Sequence, residues 1–161
     1  MNIEIRKAEA EDVEAIVELM REFAEFENLS MYFEVTHEKL YDAMFGERGF
    51  VEGVVAYAGG RTVAYALFFP NFASFRGQVG YYLEDLYILD EFRRLGLGDR
   101  ILRSIARYAK AQGFQRIDFQ VLEWNESAIK FYEKRGAIRD NDERHFRFID
   151  DAFEKLAKPS E

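Results

Sequence analysis

Three short segments carry the side chains that could do chemistry. The first is Arg93-Arg94-Leu95-Gly96-Leu97-Gly98. Two glycines two residues apart let the backbone turn tightly and approach a bound group closely. A helix starting there would present free amides and the positive end of its dipole, which is an anion site. A pyrophosphate is the natural guest. The segment lacks both the Gly-Lys-Ser/Thr of a P-loop and the third glycine of a dinucleotide fingerprint. A plain strand-to-helix turn can also contain Gly-x-Gly; the two preceding arginines favour the anion.

The second segment is Glu84-Asp85 within Tyr81-Tyr82-Leu83-Glu84-Asp85-Leu86-Tyr87-Ile88. Adjacent strand residues point to opposite faces, so at least one of these carboxylates should face a covered surface. Burying a charge is costly unless it is paired or used. An edge strand with one wet face would remove the cost; otherwise the pair reads as a proton acceptor with a raised pKa. The third segment is Asn125-Glu126-Ser127-Ala128-Ile129-Lys130-Phe131-Tyr132. Asn125 suits an N-cap, and Tyr132 follows about two turns along the same helix. Arg100, Arg103, Arg107 and Lys110 form a basic stripe at helical spacing, which a solvated helix face explains. Arg100 alone sits close enough to the helix start to reach a phosphate.

These segments need elements to hold them. Ile3 and Ile5 alternate with polar neighbours and predict a strand over 2–7. Val13, Ile16, Val17, Met20, Phe23 and Phe26 predict an amphipathic helix over 11–26. Thr36 can cap a helix reaching about Phe45. Residues 50–58 and 62–71 read as strands joined at Gly59-Gly60, a hairpin signal. Residues 80–89 make another strand. Leu97, Ile101, Leu102, Ile105, Ala106 and Ala109 predict a long helix stopping at Gly113. A strand over 116–122, a helix over 126–134, a last strand over 144–149 and a short helix over 151–158 complete the chain. The order is that of a mixed α/β layer architecture.

At 161 residues the chain suits one domain, residues 1–161, with one core. It has no cysteine, so no disulfide framework or thiol nucleophile. Its two histidines, His37 and His145, lie far apart, so no metal is expected. The start of the chain lacks the apolar run of a signal peptide, and no stretch approaches the ~20 apolar residues of a membrane helix. A cytoplasmic protein without membrane partner is expected. A net charge of −8 argues against nucleic acid. The charge is uneven, however: between Arg93 and Lys110 six basic residues stand against one acid, Asp99. That asymmetry suits an anion held in one place and a cation attracted elsewhere.

In order, the segments resemble the GNAT acetyltransferase superfamily. The phosphate loop matches its Gln/Arg-x-x-Gly-x-Gly/Ala signature at Arg93, Gly96 and Gly98. Tyr82-Leu83-Glu84-Asp85, Trp124-Asn125-Glu126, Phe131-Tyr132 before Arg135-Gly136-Ala137, and Phe26-Glu27 after the first helix are similar to the diamine (spermidine/spermine) and thialysine N-acetyltransferase group. The resemblance implies a central, mostly antiparallel sheet with a splayed parallel pair and helices on both faces. It implies acetyl-CoA as cosubstrate, held at the pantetheine arm by the backbone of Leu86, Tyr87 and Ile88 like an added strand. The amides of Arg94, Gly96 and Gly98 would cradle the pyrophosphate, with Arg93 and Lys134 as charged neighbours, and Asn125 would touch the cofactor where the sheet opens. Glu84 would be the general base, directly or through water, and Tyr132 the acid that protonates the leaving thiolate. Glu27 and Asp85 would grip substrate ammonium groups. A homodimer is the family habit.

The chemistry asks for such a cast. An aliphatic amine of pKa near 10.4 is almost fully protonated at pH 7, so exposing its lone pair costs about 4–5 kcal/mol. A base and a negative pocket meet that need. No covalent nucleophile is required, since a thioester is already activated for direct attack in a ternary complex, with amides near Ile88 as donors to the oxyanion. One departure bears on the substrate. The eukaryotic polyamine enzymes carry Trp-x-Gly where this chain has Phe75-Arg76-Gly77, and Arg76 could pair with the carboxylate of a thialysine- or lysine-like amino acid. The small-molecule amine is thus either a polyamine or such an amino acid. Acetylation of a peptide lysine, or a catalytically silent acyl-CoA sensor, are the alternatives.

Overall fold

The computed structural model describes residues 2–160. Two compact units divide at Gln120/Val121. The first unit holds one sheet of five strands in the order β1 (Ile3–Lys7), β2 (Glu52–Ala58), β3 (Arg61–Ala73), β4 (Gln78–Ile88) and β5 (Arg116–Phe119). The first four pair antiparallel; β4 and β5 run parallel. Three helices pack with it: α1 (Val13–Phe26), α2 (His37–Phe45) and α3 (Leu97–Ala111). This is the mixed α/β, mostly antiparallel arrangement with one parallel pair that the sequence leads one to expect.

Side-chain direction shows how the helices share the sheet. Ile5 lines a groove with Arg100, Arg103, Ser104 and Arg107 of α3, and Lys7 lies over the ring of Tyr108. Arg6, between them, points the other way and makes a two-pronged ion pair with buried Asp12, 2.6 and 3.0 Å long. Helix α3 therefore covers one face. Helix α1 covers the other, where Phe23 meets Tyr87 edge-on at 5.1 Å. Val13, Ile16, Val17 and Leu19 bury the apolar stripe of α1, and Leu97, Ile101, Ile105 and Ala109 that of α3. Thr36 caps α2 as expected, accepting from the Lys39 amide at 3.2 Å.

Two irregularities shape β4. At its start Gly80 passes so close to β5 that an added Cβ would stand 2.3 Å from the Arg116 carbonyl oxygen; only glycine allows the two strands to pair there. In its middle Phe68 pairs with Leu83 and Leu67 with Asp85, so Glu84 is an extra residue, a β-bulge.

The second unit carries α4 (Glu126–Glu133) and α5 (Asp150–Ala157). Asn125 caps α4, its Oδ1 accepting from the Ala128 amide at 3.2 Å. The expected strand over 144–149 does not form: among the described residues, 143–149 make no ladder. Alternating Phe146 and Phe148 give the segment strand chemistry, but a strand exists only beside another, and both rings stand exposed.

Candidate active site

The bulge at Glu84 decides which carboxylate faces what. Tyr81, ahead of it, packs on the α3 side, edge-on to Phe114 at 5.1 Å. Tyr87, beyond it, packs on α1. Asp85 shares the α1 face with Tyr87 and is half-buried, whereas Glu84 is exposed at the bulge. The covered carboxylate that the sequence requires is therefore Asp85.

Two acids meet on this face, with Glu84 beside them at the bulge. Asp85 accepts a 2.9 Å hydrogen bond from the hydroxyl of Tyr65, a fully buried side chain of β3. Burial pushes the Asp85 carboxyl up to about 6, against the Tyr65 hydrogen bond, and the charge of Glu84 adds to the rise. Glu27, just past the end of α1, is also raised to about 6, by burial first and by the charge of Asp85 second. Asn28, with a φ of 58°, turns the chain out of the helix directly after it. A carboxylate at a helix C-terminus is disfavoured by the dipole, and one facing a second acid is disfavoured again. Such a pair is poor for stability and well suited to a cation.

Aromatic rings flank the acids. Phe69 stacks on Tyr82 at 5.4 Å, and Phe50 meets Phe69 edge-on at 5.7 Å. The Tyr82 phenol is raised by burial, then by the charges of Glu84 and Asp118. Neither this stack nor Tyr65 was legible beforehand, because each depends on strand register.

On the side of β5, the ladder stops at Leu83–Phe119, while β4 continues beside β3 to Ile88. Leu86, Tyr87 and Ile88 thus lie along a stretch of β4 that has left its parallel partner, as an added extended chain requires. After it, Arg94 and Gly96 both adopt left-handed φ values, 63° and 74°. An added Cβ on Gly96 would meet nothing within 4 Å, so the loop is open at that point. A bond from the Arg100 amide to the Gly96 carbonyl opens α3, and the leading amides of a helix, those of Leu97 and Gly98 here, point out of its first turn. The donors of this stretch fit a pantetheine-pyrophosphate chain.

Arg93 is anchored at the start of this loop. Its guanidinium lies 4.7 Å from the Phe26 ring centre and 5.4 Å from that of Tyr87, donates from Nε to the Ile88 carbonyl at 2.8 Å, and pairs with Asp90 at 3.1 Å. It clamps the end of α1, next to Glu27, to the end of β4. Arg100 donates to the Ile3 carbonyl at 2.9 Å on the outer strand β1. Arg76 is exposed in the turn between β3 and β4.

Asn125, Tyr132 and Lys134 belong to α4 and its ends in the second unit. Lys134 is exposed and Tyr132 half-buried. Burial pushes the Tyr132 phenol up to about 12, so it remains a proton donor throughout the neutral range. Among the described residues no group of His, Asp and Glu is arranged to hold a metal ion.

A mixed sheet whose fourth strand leaves its parallel neighbour, followed by a turn and helix suited to an anion, is the arrangement of an N-acetyltransferase fold. The acetyltransferase (GNAT) family pattern matches residues 13–137, and the chain belongs to that family. It is 33% identical over 164 residues to the thialysine N-epsilon-acetyltransferase of Bos taurus, covering 95% of this chain and 96% of that one. It is 37% identical over 94 residues to the L-ornithine N5-acetyltransferase of Arabidopsis thaliana, covering 58% of this chain and 41% of that one. In structure it is similar to an integron cassette protein from the mobile metagenome of V. cholerae, with a TM-score of 0.79, 23% identity and 99% of each chain covered. The protein is a GNAT N-acetyltransferase acting on amines.

Proposed function

We propose that the enzyme transfers an acetyl group from acetyl-CoA to a primary amine of a small cationic molecule, either a polyamine or a thialysine- or lysine-like amino acid. The observation that carries this reading is the meeting of Glu27 and Asp85, two carboxyls raised to about 6, beside the bulge at Glu84. At neutral pH both are mostly ionised, and a bound cation offsets the burial and the like charge that raise them.

Acetyl-CoA, when bound, supplies an acetyl thioester already activated toward an amine. The backbone of Leu86, Tyr87 and Ile88 would hold its pantetheine arm. The loop amides of Arg94, Gly96 and Gly98 would hold its pyrophosphate, with Arg93 and Lys134 contributing positive charge and Asn125 a further contact. Glu27 and Asp85 grip the substrate ammonium. Glu84, exposed on the same strand, takes the proton directly or through water and returns it to solvent. Tyr132 delivers a proton to the thiolate, for which a phenol held protonated is suited. The amine attacks directly, with no covalent enzyme intermediate.

The thialysine and ornithine specificities of the relatives support an amino-acid substrate, whose carboxylate Arg76 would meet. The family match spans both units, which supports a single acetyltransferase domain over the chain. No described helix is long and apolar enough to cross a membrane; with a chain free of cysteine, this fits a cytoplasmic enzyme. We further place it in a homodimer, on the exposed apolar side chains of the second unit.

The test is acetyl-CoA turnover, followed by thiol release, on spermidine, putrescine, thialysine, ornithine, lysine and a lysine-bearing peptide. Turnover on one small amine, reduced at least tenfold in Glu84→Gln and Tyr132→Phe, supports the reading. Turnover confined to the peptide overturns the small-molecule assignment, and acetyl-CoA binding without turnover on any amine overturns the enzymatic one.

A further inference from the structure

Tyr65 has no part in the chemistry above, yet it is the one hydroxyl in the apolar run Val63-Ala64-Tyr65-Ala66-Leu67-Phe68, and its ring is fully buried. It sits in register with Val55 of β2 on one side and Tyr87 of β4 on the other. A buried phenol needs a partner, and the one it has is Asp85 Oδ2 at 2.9 Å. A phenylalanine would fill the same core volume without that demand.

We infer that Tyr65 is a positioning residue: its hydroxyl holds the Asp85 carboxylate ionised and turned toward the amine site, and so sets the lower pH limit at which the enzyme grips a cation. The inference rests on the proposed reading that the substrate ammonium binds at Glu27 and Asp85.

The argument follows from what surrounds the carboxylate. Glu27 faces Asp85 from the end of α1 and Glu84 from its own strand, both negative. Tyr87, on the same face of β4, carries no positive charge, and the nearby cation, Arg93, is engaged with Ile88 and Asp90. Burial first and the charge of Glu84 second press Asp85 toward its neutral form, which would remove its attraction for an ammonium group. Tyr65 opposes them. It can do so at any working pH, because burial and then the charge of Asp85 hold the phenol well above its ordinary range. A hydroxyl that cannot ionise beside a carboxylate that can must be the donor. It occupies one carboxylate oxygen and leaves the other for substrate.

The consequence is a displacement of the pH profile. A hydrogen bond to a charged group is strong enough to move a carboxyl by about one pH unit. In Tyr65→Phe the acid limb of kcat/KM for the amine moves to higher pH by about one unit. KM rises about twofold at pH 7 and about fivefold at pH 6, and the two enzymes converge above pH 8.5, where Asp85 is ionised in both. Damage to packing would depress the variant at every pH.

The experiment measures these profiles for the wild type, Tyr65→Phe and Asp85→Asn, with carbon NMR of the Asp85 carboxyl as a readout independent of turnover. A higher midpoint in both readouts supports the inference. Superimposed profiles and midpoints, with Asp85→Asn still impaired, overturn the role of Tyr65 and leave the binding reading standing. An Asp85→Asn enzyme with unchanged KM overturns the binding reading itself. Should Tyr65→Phe not fold, the wild type decides: the Tyr65 Cζ resonance shifts as Asp85 titrates, and a flat resonance through that range overturns the inference.

Discussion

Tyr81 and Tyr87 stand six residues apart on one strand yet face opposite sides of the sheet, the first against Phe114 below α3 and the second against Phe23 of α1. An even spacing on an unbroken strand keeps two side chains on one face. The extra residue that breaks the phase is Glu84. The bulge turns Asp85 onto the α1 face, within reach of Glu27 and Tyr65, and coincides with the point where β4 leaves β5. One inserted residue thus brings the acid cluster and the open strand edge to the same place.

That cluster costs stability. Asp85 is raised from 3.8 to about 6 in the folded chain. Its contribution is therefore full below about pH 4 and is lost as pH rises through 6. The protein should be less stable at pH 8 than this carboxyl alone would allow at pH 4. Asp85→Asn, uncharged throughout, should raise stability at pH 8 by about 1 kcal/mol, a value reduced for the half-exposed position. Urea denaturation at pH 4 and pH 8 checks it: the gain should appear at pH 8 and vanish at pH 4, while turnover at pH 8 falls.

Asp12 shows the opposite sign. Burial would raise its carboxyl, but the ion pair with Arg6 and the 2.7 Å bond from the Glu9 amide outweigh burial and hold it below the usual range. Its stabilisation is present above pH 4 and lost as pH falls through the lowered value. Asp12→Asn keeps the acceptor for Glu9 and loses the charge for Arg6. It should cost about 1–3 kcal/mol at pH 7, and denaturation curves of variant and wild type should approach one another as pH falls through the lowered value.

Much of this was legible in the residues. The helical spacing in α1 and α3, the Gly59-Gly60 turn and the Asn125 cap are local signals, and local signals survive into the fold. Glu84-Asp85 announced a carboxylate that must be covered. Which one depended on a bulge, set by how β3 and β4 twist together rather than by either sequence. Tyr65 was hidden for the same reason: a tyrosine in an apolar run reads as core until its cross-strand neighbour is known. Residues 144–149 failed in the other direction. Their alternation is that of a strand, but pairing is a property of two segments, and nothing in one segment supplies the second.

Arg93 separates two roles. As a neighbour of the pyrophosphate it needs only its charge; as a clamp between Phe26, Tyr87 and the Ile88 carbonyl it needs its planar group and Nε. Arg93→Lys keeps the first and loses the second. Stability should fall by about 1 kcal/mol, and KM for the amine should rise more than KM for acetyl-CoA, because Glu27 adjoins the clamped Phe26. Initial-rate kinetics with each substrate varied in turn measure both. A change in KM for the amine no larger than that for acetyl-CoA would dismiss the clamp.

Ile149, the N-cap residue of α5, is exposed, as are Phe153 and Leu156, three residues apart on one face of that helix. Phe146 and Phe148 are exposed just before it. An apolar helix face and a neighbouring alternating segment left in water mark an interaction surface, and a second copy of the chain is the partner that the proposed homodimer supplies. Light scattering on the purified enzyme at micromolar concentration should give twice the mass of one chain. Phe153→Glu together with Leu156→Glu should weaken association at least tenfold while leaving the far-ultraviolet circular dichroism of the chain unchanged. The acid cluster lies within the first unit, so unchanged kcat/KM in the monomeric variant would assign the contact to stability alone, and a loss at unchanged KM for acetyl-CoA would tie association to catalysis. A single-chain mass for the unmodified enzyme would dispose of the dimer.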